Sequence, residues 1–226
     1  MDRSETNHHT YIRRRGRITS AQQRGYDLAQ DRYRFDTLAL TNAGSMTGLE
    51  IGFGMGHALV HWAISEPSRI IVGADLYQPG IGSLAHMLDD QGVDNVLIAE
   101  LPAQELIAGM PEATLDEVRI YFPDPWPKKR HFKRRLIQPQ FLHDLRRVMR
   151  KDAIVKLATD WVPYAQWMRE HFDAAEGYQL VYDRVREVDQ EVADNAALPR
   201  DRPATKFERR GERLGHEIHD LGYSVI

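Results

Sequence analysis

The stretch GLEIGFGMG, residues 48–56, decides the fold that the rest of the chain completes. GLEIG has the short apolar pattern of a buried strand, and it runs directly into the glycine-rich turn GFGMG. The next ten residues, HALVHWAISE, have the pattern of a helix. A strand, a glycine turn and a helix in this order predict the first unit of an α/β sheet, with a turn whose backbone can approach a ligand closely.

The same alternation continues along the chain. Four more buried strands are predicted: SRIIVGAD (68–75), VDNVLIAE (93–100), LDEVRIYF (115–122) and AIVKLATD (153–160). Helical patterns lie between and after them: IGSLAHMLDDQG (81–92), QPQFLHDLRRVMR (138–150) and VPYAQWMREHF (162–172). The tail, from YQLVYDRVREV through RLGHEIHDLGYSVI, predicts two further strands. The predicted fold class is therefore α/β, a Rossmann-like, mostly parallel twisted sheet with helices on both faces.

Glycines or acids stand where five successive strands end. Because the carboxyl ends of parallel strands meet at one edge, and ligands of such sheets bind beyond that edge, we expect these residues to line one site. They are Gly52, Asp75, Glu100, Asp124 and Asp160.

Composition limits the classes of protein to consider. The chain has 226 residues, 42% of them hydrophobic, which suits one globular domain. It has no cysteine, which excludes disulfides and thiolate metal sites and agrees with a reducing, cytoplasmic location. No apolar run approaches the roughly 18 residues of a membrane helix. We read the ten histidines as surface or core groups, and we predict neither a metal site nor a membrane contact.

The ends of the chain suggest a simple domain organisation. Residues 1–20 are predicted to be a basic, flexible arm that carries Arg13, Arg14, Arg15 and Arg17, and residues 21–226 a single domain. Thr19 and Gln22 have the spacing of a capping box, so a helix is expected from there to about Arg34. The sequence leaves the choice between a monomer and a homodimer open.

The glycine turn suits two cofactors. Asp75 lies 25 residues after Glu50 and could hydrogen-bond a ribose, as in nucleotide sites. NAD sites usually have the spacing G-x-G-x-x-G, whereas Gly52, Gly54 and Gly56 have G-x-G-x-G with an acid two residues ahead. This form resembles the S-adenosylmethionine loop of class I methyltransferases, and the Glu50 carboxylate suits a cofactor that carries an ammonium and a sulfonium.

A run of cations follows one acid. In YFPDPWPKKRHFKRR, residues 121–135, Pro123 and Pro125 flank Asp124 and restrict its loop. Lys128, Lys129, Arg130, His131, Phe132, Lys133, Arg134 and Arg135 then follow without an acid. Since the whole chain has a formal charge of −3, this local run predicts a site for a polyanion.

Five motifs in order identify a resemblance. They are LEIGFGMG, GADLYQPGIG, FPDPWPKKRHFKRR, ATDWVPYAQWM and TKFERRGERLGHEIHDL. From about Arg13 to the C-terminus the chain resembles the bacterial tRNA (guanine-N7-)-methyltransferase family. The resemblance implies a class I methyltransferase fold, S-adenosylmethionine as cofactor and tRNA as partner. It also implies methyl transfer to N7 of the variable-loop guanine at position 46.

The resemblance assigns roles to individual residues. Glu50, Asp75 and Asp124 would contact the cofactor, together with Gly52, Gly54 and Gly56 and with either Glu100 or Leu101. Asp124 would also be the catalytic residue. Lys128, Asp160, Thr205, Lys206, Phe207 and Glu208 would bind the substrate. The RNA backbone would be bound by Arg130, His131, Phe132, Lys133, Arg134 and Arg135. On the residues alone, Asp160 could instead be the N-cap of the helix that follows it.

Two other functions compete with this one. An NAD-linked oxidoreductase is disfavoured by the glycine spacing, and a non-catalytic RNA-binding protein that retains the methyltransferase fold is disfavoured by the intact acids.

Overall fold

A seven-stranded sheet organises the computed structural model, which describes residues 18–41, 46–186, 208, 211 and 213–226. In chain order the strands are β1 Thr47–Ile51, β2 Ile70–Ala74, β3 Val96–Ala99, β4 Leu115–Tyr121, β5 Met149–Thr159, β6 Tyr178–Arg186 and β7 Ile218–Val225. Their order across the sheet is β3-β2-β1-β4-β5-β7-β6. The first five strands are parallel, and β7 pairs antiparallel with both β5 and β6. The predicted strands and the mostly parallel sheet are confirmed.

Seven helices and one 3-10 helix have defined bounds in the described part of the chain. They are α1 Ser20–Arg32, α2 Thr37–Thr41, α3 His57–Ser65, α4 Gln78–Asp90, α5 Ala103–Gly109, α6 Pro139–Val148 and α7 Val162–Ala174, with the 3-10 helix at Lys129–Arg134. The capping box at Thr19 and Gln22 forms as predicted. The sequence analysis did not predict α2, α5 or the 3-10 helix, which are too short for periodicity to define.

Helices cover both faces of the sheet. Successive residues of a strand point to opposite faces, so neighbouring residues of one strand pack in different cores. Ile71 packs in a cluster with residues of α1, α3 and α4, such as Ala29, Leu59 and Leu84. Its neighbour Val72 belongs to the other cluster, which includes residues of α5, α6 and α7. The carboxyl edge of the parallel strands lies outside these two cores, and the loops that follow the strands form it.

Helix α1 crosses α4 at glycines. A Cβ atom on Gly82 would collide with the carbonyl oxygen of Gln22, and one on Gly25 with that of Gly82. On the second glycine of α4, Gly80, a Cβ atom would collide with the carbonyl oxygen of Gly54 in the glycine turn. Because glycine has no side chain, the backbone of α4 can contact the backbones of α1 and of the glycine turn.

We expect Gly82→Ala to lower the free energy of unfolding by about 1–3 kcal/mol, because the added methyl group must push α1 away from α4. Chemical denaturation measures this change. Gly109→Ala is the matched control, since a Cβ atom on this exposed glycine at the end of α5 would meet no heavy atom within 4 Å. That control should leave stability unchanged or raise it by up to about 1 kcal/mol. Equal effects of the two substitutions would contradict a tight helix crossing.

Candidate functional site

Four carboxylates lie at the same edge of the sheet. Glu50 is in β1 and only 3% exposed, Asp75 follows β2 directly, and Asp124 follows β4 after a short turn. Asp160 follows β5 directly. Because β2, β1, β4 and β5 are neighbours in that order, the fold brings these acids together along one edge. Glu100, at the end of β3, extends the row by one strand.

The glycine turn presents an open backbone to this edge. Gly52, Gly54 and Gly56 have φ angles of 75°, 60° and 87°, which residues with a Cβ rarely adopt. A Cβ atom on Gly52 or Gly54 would find no heavy atom within 4 Å, so their surroundings are open. The turn therefore forms a cradle whose backbone a ligand can approach.

Asp75 has a second role that the sequence did not predict. Its carboxylate accepts the backbone N–H of Gly54 at 2.8 Å. It also accepts the backbone N–H groups of Leu76 at 2.7 Å and Tyr77 at 2.9 Å. Asp75 thus ties the end of β2 to the glycine turn and to the start of α4. Its predicted contact with a ribose stays a prediction.

The end of β3 is covered by α1. The Tyr26 hydroxyl donates to Glu100 Oε2 at 2.6 Å, and Gln78 Nε2 donates to Glu100 Oε1 at 3.0 Å. The bond to Glu100, together with burial, raises the pKa of Tyr26, which keeps the hydroxyl a donor. Leu101 is 40% exposed. Sequence analysis missed Tyr26, which is 74 residues from Glu100 and has no local motif to mark it.

The turn after β4 holds Asp124 in an unusual backbone conformation. Phe122 and Trp126 have φ angles of 51° and 44°, and such left-handed conformations cost about 1–3 kcal/mol each for residues with a Cβ. The Phe122 N–H donates to the carbonyl oxygen of Ala158 at 2.8 Å, which extends the β4–β5 pairing into the turn. Asp124 is half-buried between its two prolines. The turn therefore needs supporting contacts to keep this shape.

Most of the predicted basic run is exposed beside this turn. Lys128, Lys129, Arg130, Lys133 and Arg134 are all exposed. The Arg134 guanidinium lies 5.0 Å from the centre of the Trp126 ring, and the His131 ring meets the same indole edge-on at 5.6 Å. Partial burial lowers the pKa of His131, and Arg134, Arg130 and Lys128 lower it further. These cations form a surface next to Asp124, and their predicted contacts with RNA stay predictions.

Arg135 is the one cation of the basic run that does not belong to that surface. It is only 1% exposed, and its Nε donates to the carbonyl oxygen of Pro125 at 2.9 Å. The guanidinium is enclosed by aromatic rings, among them that of the half-buried Phe132 at 3.9 Å. A side chain in this position does not lie at the surface, and the predicted RNA contact of Arg135 stays a prediction. The RNA contact predicted for Phe132 stays untested.

Asp160 lies beside the C-terminal segment. A Cβ atom on Gly211 would be 3.0 Å from Asp160 Cβ, and His216 Nδ1 lies 3.6 Å from Asp160 Oδ2. The N-cap of α7 is Trp161, so Asp160 does not cap that helix. Sequence analysis missed His216, although it lies within the quoted motif TKFERRGERLGHEIHDL, and that motif was the available signal.

Glu208 is a second predicted site residue that is buried. Its side chain is fully buried, and Arg186 Nη2 lies 2.7 Å from Glu208 Oε1 and 2.9 Å from Asp220 Oδ2. Burial alone would lower the pKa of Arg186, but Asp220 and Glu208 outweigh it and raise that pKa. The Glu208 carboxylate therefore anchors its segment to the sheet, and its predicted contact with the substrate stays a prediction. Its predicted neighbours Thr205, Lys206 and Phe207 lie outside the described residues, as does the arginine cluster of the N-terminal arm.

Two histidines of α3 have a spacing that suits metal ligands. His57 and His61 stand one turn apart on the exposed side of the helix. Within residues 18–41, 46–186, 208, 211 and 213–226, however, no three His, Asp or Glu side chains come together as a metal site would need. No helix in the same ranges is long and apolar enough to cross a membrane.

The sequence is similar to known methyltransferases. A family described as "Putative methyltransferase" matches residues 45–221. A tRNA (guanine-N(7)-)-methyltransferase of Marinobacter nauticus is 39% identical over 220 residues, which cover 94% of this chain and 89% of the relative. The protein of the same name from Pseudomonas aeruginosa is 39% identical over 225 residues, with 96% of this chain and 89% of the relative covered.

Solved structures show the same fold at low identity. The 16S rRNA (adenine(1408)-N(1))-methyltransferase from Catenulisporales acidiphilia, crystallised with the cosubstrate SAM, superposes with a TM-score of 0.54 at 17% identity. That match covers 85% of this chain and 92% of the other. TrmN from Thermus thermophilus superposes with a TM-score of 0.55 at 16% identity and covers 89% of this chain and 52% of the other. These similarities confirm the predicted class I methyltransferase fold.

Proposed function

The chain belongs to the tRNA (guanine-N(7)-)-methyltransferase family, and from that premise we propose that it transfers the methyl group of S-adenosylmethionine to N7 of a guanine in tRNA. One observation of the site carries the proposal. Three carboxylates, those of Glu50, Asp75 and Asp124, lie along one edge of the sheet next to an open glycine turn, and exposed cations begin immediately beyond Asp124. The variable-loop guanine at position 46 is the proposed target.

The site fits S-adenosylmethionine. Ionised carboxylates are pure acceptors, and the cofactor offers an ammonium, a sulfonium and ribose hydroxyls, which are cations or donors. In the proposed complex Glu50 faces the ammonium and Asp75 faces the ribose. The open backbone at Gly52 and Gly54 supports a position beneath the cofactor. When bound, S-adenosylmethionine supplies an electrophilic methyl carbon.

The chemistry requires no strong base from the protein. Guanine N7 carries an in-plane lone pair and no proton, so nothing has to be removed before it attacks the methyl carbon. Positive charge develops on the purine during transfer, and Asp124 supplies negative potential at that point. The two flanking prolines and the β4–β5 pairing at Phe122 keep the carboxylate in place, which favours alignment of N7 with the methyl carbon.

The exposed cations give the acidic chain a local affinity for tRNA. Lys128, Lys129, Arg130, Lys133 and Arg134 stand together on and beside the 3-10 helix that follows the Asp124 turn. Phosphates bound there would bring the neighbouring nucleotides to the edge of the sheet. Guanine N7 must be exposed to react, so the target base either lies unpaired or is turned out of its stack.

Incubation with isotope-labelled S-adenosylmethionine and unmodified tRNA tests the proposal. We expect label on N7 of one guanine, located by mapping the modified nucleotide. Binding of the cofactor and of tRNA without any transfer would instead support a non-catalytic RNA-binding protein. Binding of NAD but not of S-adenosylmethionine would support an oxidoreductase.

We expect Tyr26→Phe to raise the dissociation constant of S-adenosylmethionine about threefold, equivalent to about 0.65 kcal/mol. The change removes the 2.6 Å hydrogen bond that holds Glu100 at the end of β3, where the third cofactor contact is proposed. Isothermal titration with the cofactor measures the effect.

Tyr223→Phe is the matched control for this titration. It removes a comparable bond, the 3.1 Å contact from the Tyr223 hydroxyl to Asp173. Tyr223 is in β7, which β4 and β5 separate from β1, β2 and β3 in the sheet. An equal loss of affinity in both variants would show that Glu100 and Tyr26 have no specific role in cofactor binding.

Three further properties stay predictions. They are the flexible basic arm at residues 1–20 beside a single domain from residue 21, a cytoplasmic location, and the choice between a monomer and a homodimer.

A further inference from the structure

Arg135 is the last residue of the basic run and the only one of its cations that is buried. Its side chain is 1% exposed, whereas Lys133 and Arg134 immediately before it are exposed. A buried guanidinium must find partners for its charge and its donors, because burial without them is unfavourable. The partners of Arg135 therefore show what the residue does.

The hydrogen-bonded partner is the turn that carries Asp124. Arg135 Nε donates to the carbonyl oxygen of Pro125 at 2.9 Å, directly after the acid. That turn includes Phe122 and Trp126 in left-handed conformations, which residues with a Cβ adopt only when their surroundings enforce them. The Arg135 bond is one of the contacts that enforce this shape.

Three aromatic rings enclose the guanidinium. Its central carbon lies 3.9 Å from the centre of the Phe132 ring, 4.7 Å from that of Trp167 and 5.0 Å from that of Tyr164. Such contacts attract a planar cation to the ring faces. The enclosure is itself anchored, since Trp167 Nε1 donates to the carbonyl oxygen of Ile137 at 2.7 Å. The guanidinium is thus held in a fixed place.

Tyr164 is the fully buried ring of this enclosure. Burial raises the pKa of its hydroxyl, and the Arg135 cation opposes that rise. The enclosed guanidinium and the Asp124 turn are connected through the hydrogen bond to the Pro125 carbonyl oxygen.

We propose that Arg135 is a positioning residue, which fixes the Pro125 carbonyl and thereby holds the Asp124 carboxylate at the edge of the sheet while its exposed neighbours contact the RNA. The inference rests on the proposed function, because Asp124 matters for rate only if the chain transfers methyl groups. It divides the basic run by role: the exposed cations act on tRNA affinity, and Arg135 acts on the rate of transfer.

Arg135→Met and Arg135→Lys test the proposal. Methionine fills part of the volume but has neither the donor nor the charge, and lysine keeps the charge without the planar stacking. We expect the single-turnover rate with saturating tRNA and cofactor to fall about fivefold to tenfold in Arg135→Met and less in Arg135→Lys. The KM for tRNA and its salt dependence should stay as in the wild type.

Hydrogen–deuterium exchange gives a second readout that needs no tRNA. We expect the amides of Phe122, Asp124 and Trp126 to exchange faster in both Arg135 variants, while the amides of β1 and β2 keep their wild-type rates. A failure of the wild-type protein to methylate guanine N7 would refute the proposed function, but this exchange measurement would still decide whether Arg135 fixes the turn.

Arg130→Met is the matched control, an exposed arginine five residues earlier. It should raise the KM for tRNA and weaken its salt dependence, with the amide exchange of the turn unchanged. If Arg135→Met behaves like Arg130→Met, Arg135 contacts RNA and the proposal is overturned. It is also overturned if both Arg135 variants keep the wild-type rate and exchange. If Arg135→Met does not melt cooperatively, the single-turnover rate and the amide exchange of Arg135→Lys test the proposal instead.

Discussion

Replacing Asp124 by alanine is expected to lower the turnover number more than about tenfold, which corresponds to at least about 1.4 kcal/mol of the barrier. The carboxylate stands at the edge where the purine gains positive charge, and no other group has to act as a base. Its effect is therefore electrostatic and positional, and its loss should reduce the rate at saturating substrate. Rapid-quench measurement of methyl transfer under single-turnover conditions isolates that step.

Asp124→Asn separates charge from shape. Asparagine keeps the size and one acceptor oxygen but carries no negative charge, so its rate should fall nearly as far as that of Asp124→Ala if electrostatic stabilisation dominates. A rate for Asp124→Asn close to that of the wild type would assign the effect to hydrogen bonding alone. Near-normal rates in both variants would remove Asp124 from the catalytic residues.

The double substitution Lys128→Ala with Arg130→Ala is expected to raise the KM for tRNA about tenfold, equivalent to about 1.4 kcal/mol. Both side chains are exposed next to the Asp124 turn, and each phosphate contact releases condensed counterions when it forms. The slope of log affinity against log salt should therefore become shallower by about 1.4 to 1.8, at roughly 0.7 to 0.9 per contact. Cofactor affinity should not change.

Lys151→Ala provides the comparison for the double variant. Lys151 is also exposed, but it stands near the start of β5, at the opposite end of the strand from Asp160. Its replacement removes one positive charge where the double variant removes two, and it should leave the salt slope as it is. Equal slopes for the double variant and the wild type would show that the basic run does not hold phosphates.

The local sequence was sufficient for the architecture and for the row of acids. Buried strands and amphipathic helices have patterns that a window of about ten residues can record, and the handedness of the crossovers then fixes how parallel strands join. Glu50, Asp75, Asp124 and Asp160 could be placed at one edge because each belongs to a strand end. The short α5 and the 3-10 helix escaped prediction, since one or two turns carry too little periodicity.

Partners between distant parts of the chain could not be predicted in this way. Tyr26 binds Glu100 across 74 residues, and Arg186 contacts both Glu208 and Asp220. No local pattern distinguishes these side chains from others of their type. Only the packing of α1 on α4 and of the C-terminal segment on the sheet brings them together.

In the basic run, the features that the sequence determines and those that the tertiary structure determines can be separated most directly. The sequence by itself determined that cations follow Asp124 and that the surrounding acidic chain makes them a local feature. Only the tertiary structure decided that Arg134 faces outward and Arg135 inward, since the 3-10 helix ends between them and aromatic rings from α7 enclose the second guanidinium. The direction of a side chain depends on the surfaces packed around it, and residues far away in the sequence supply those surfaces.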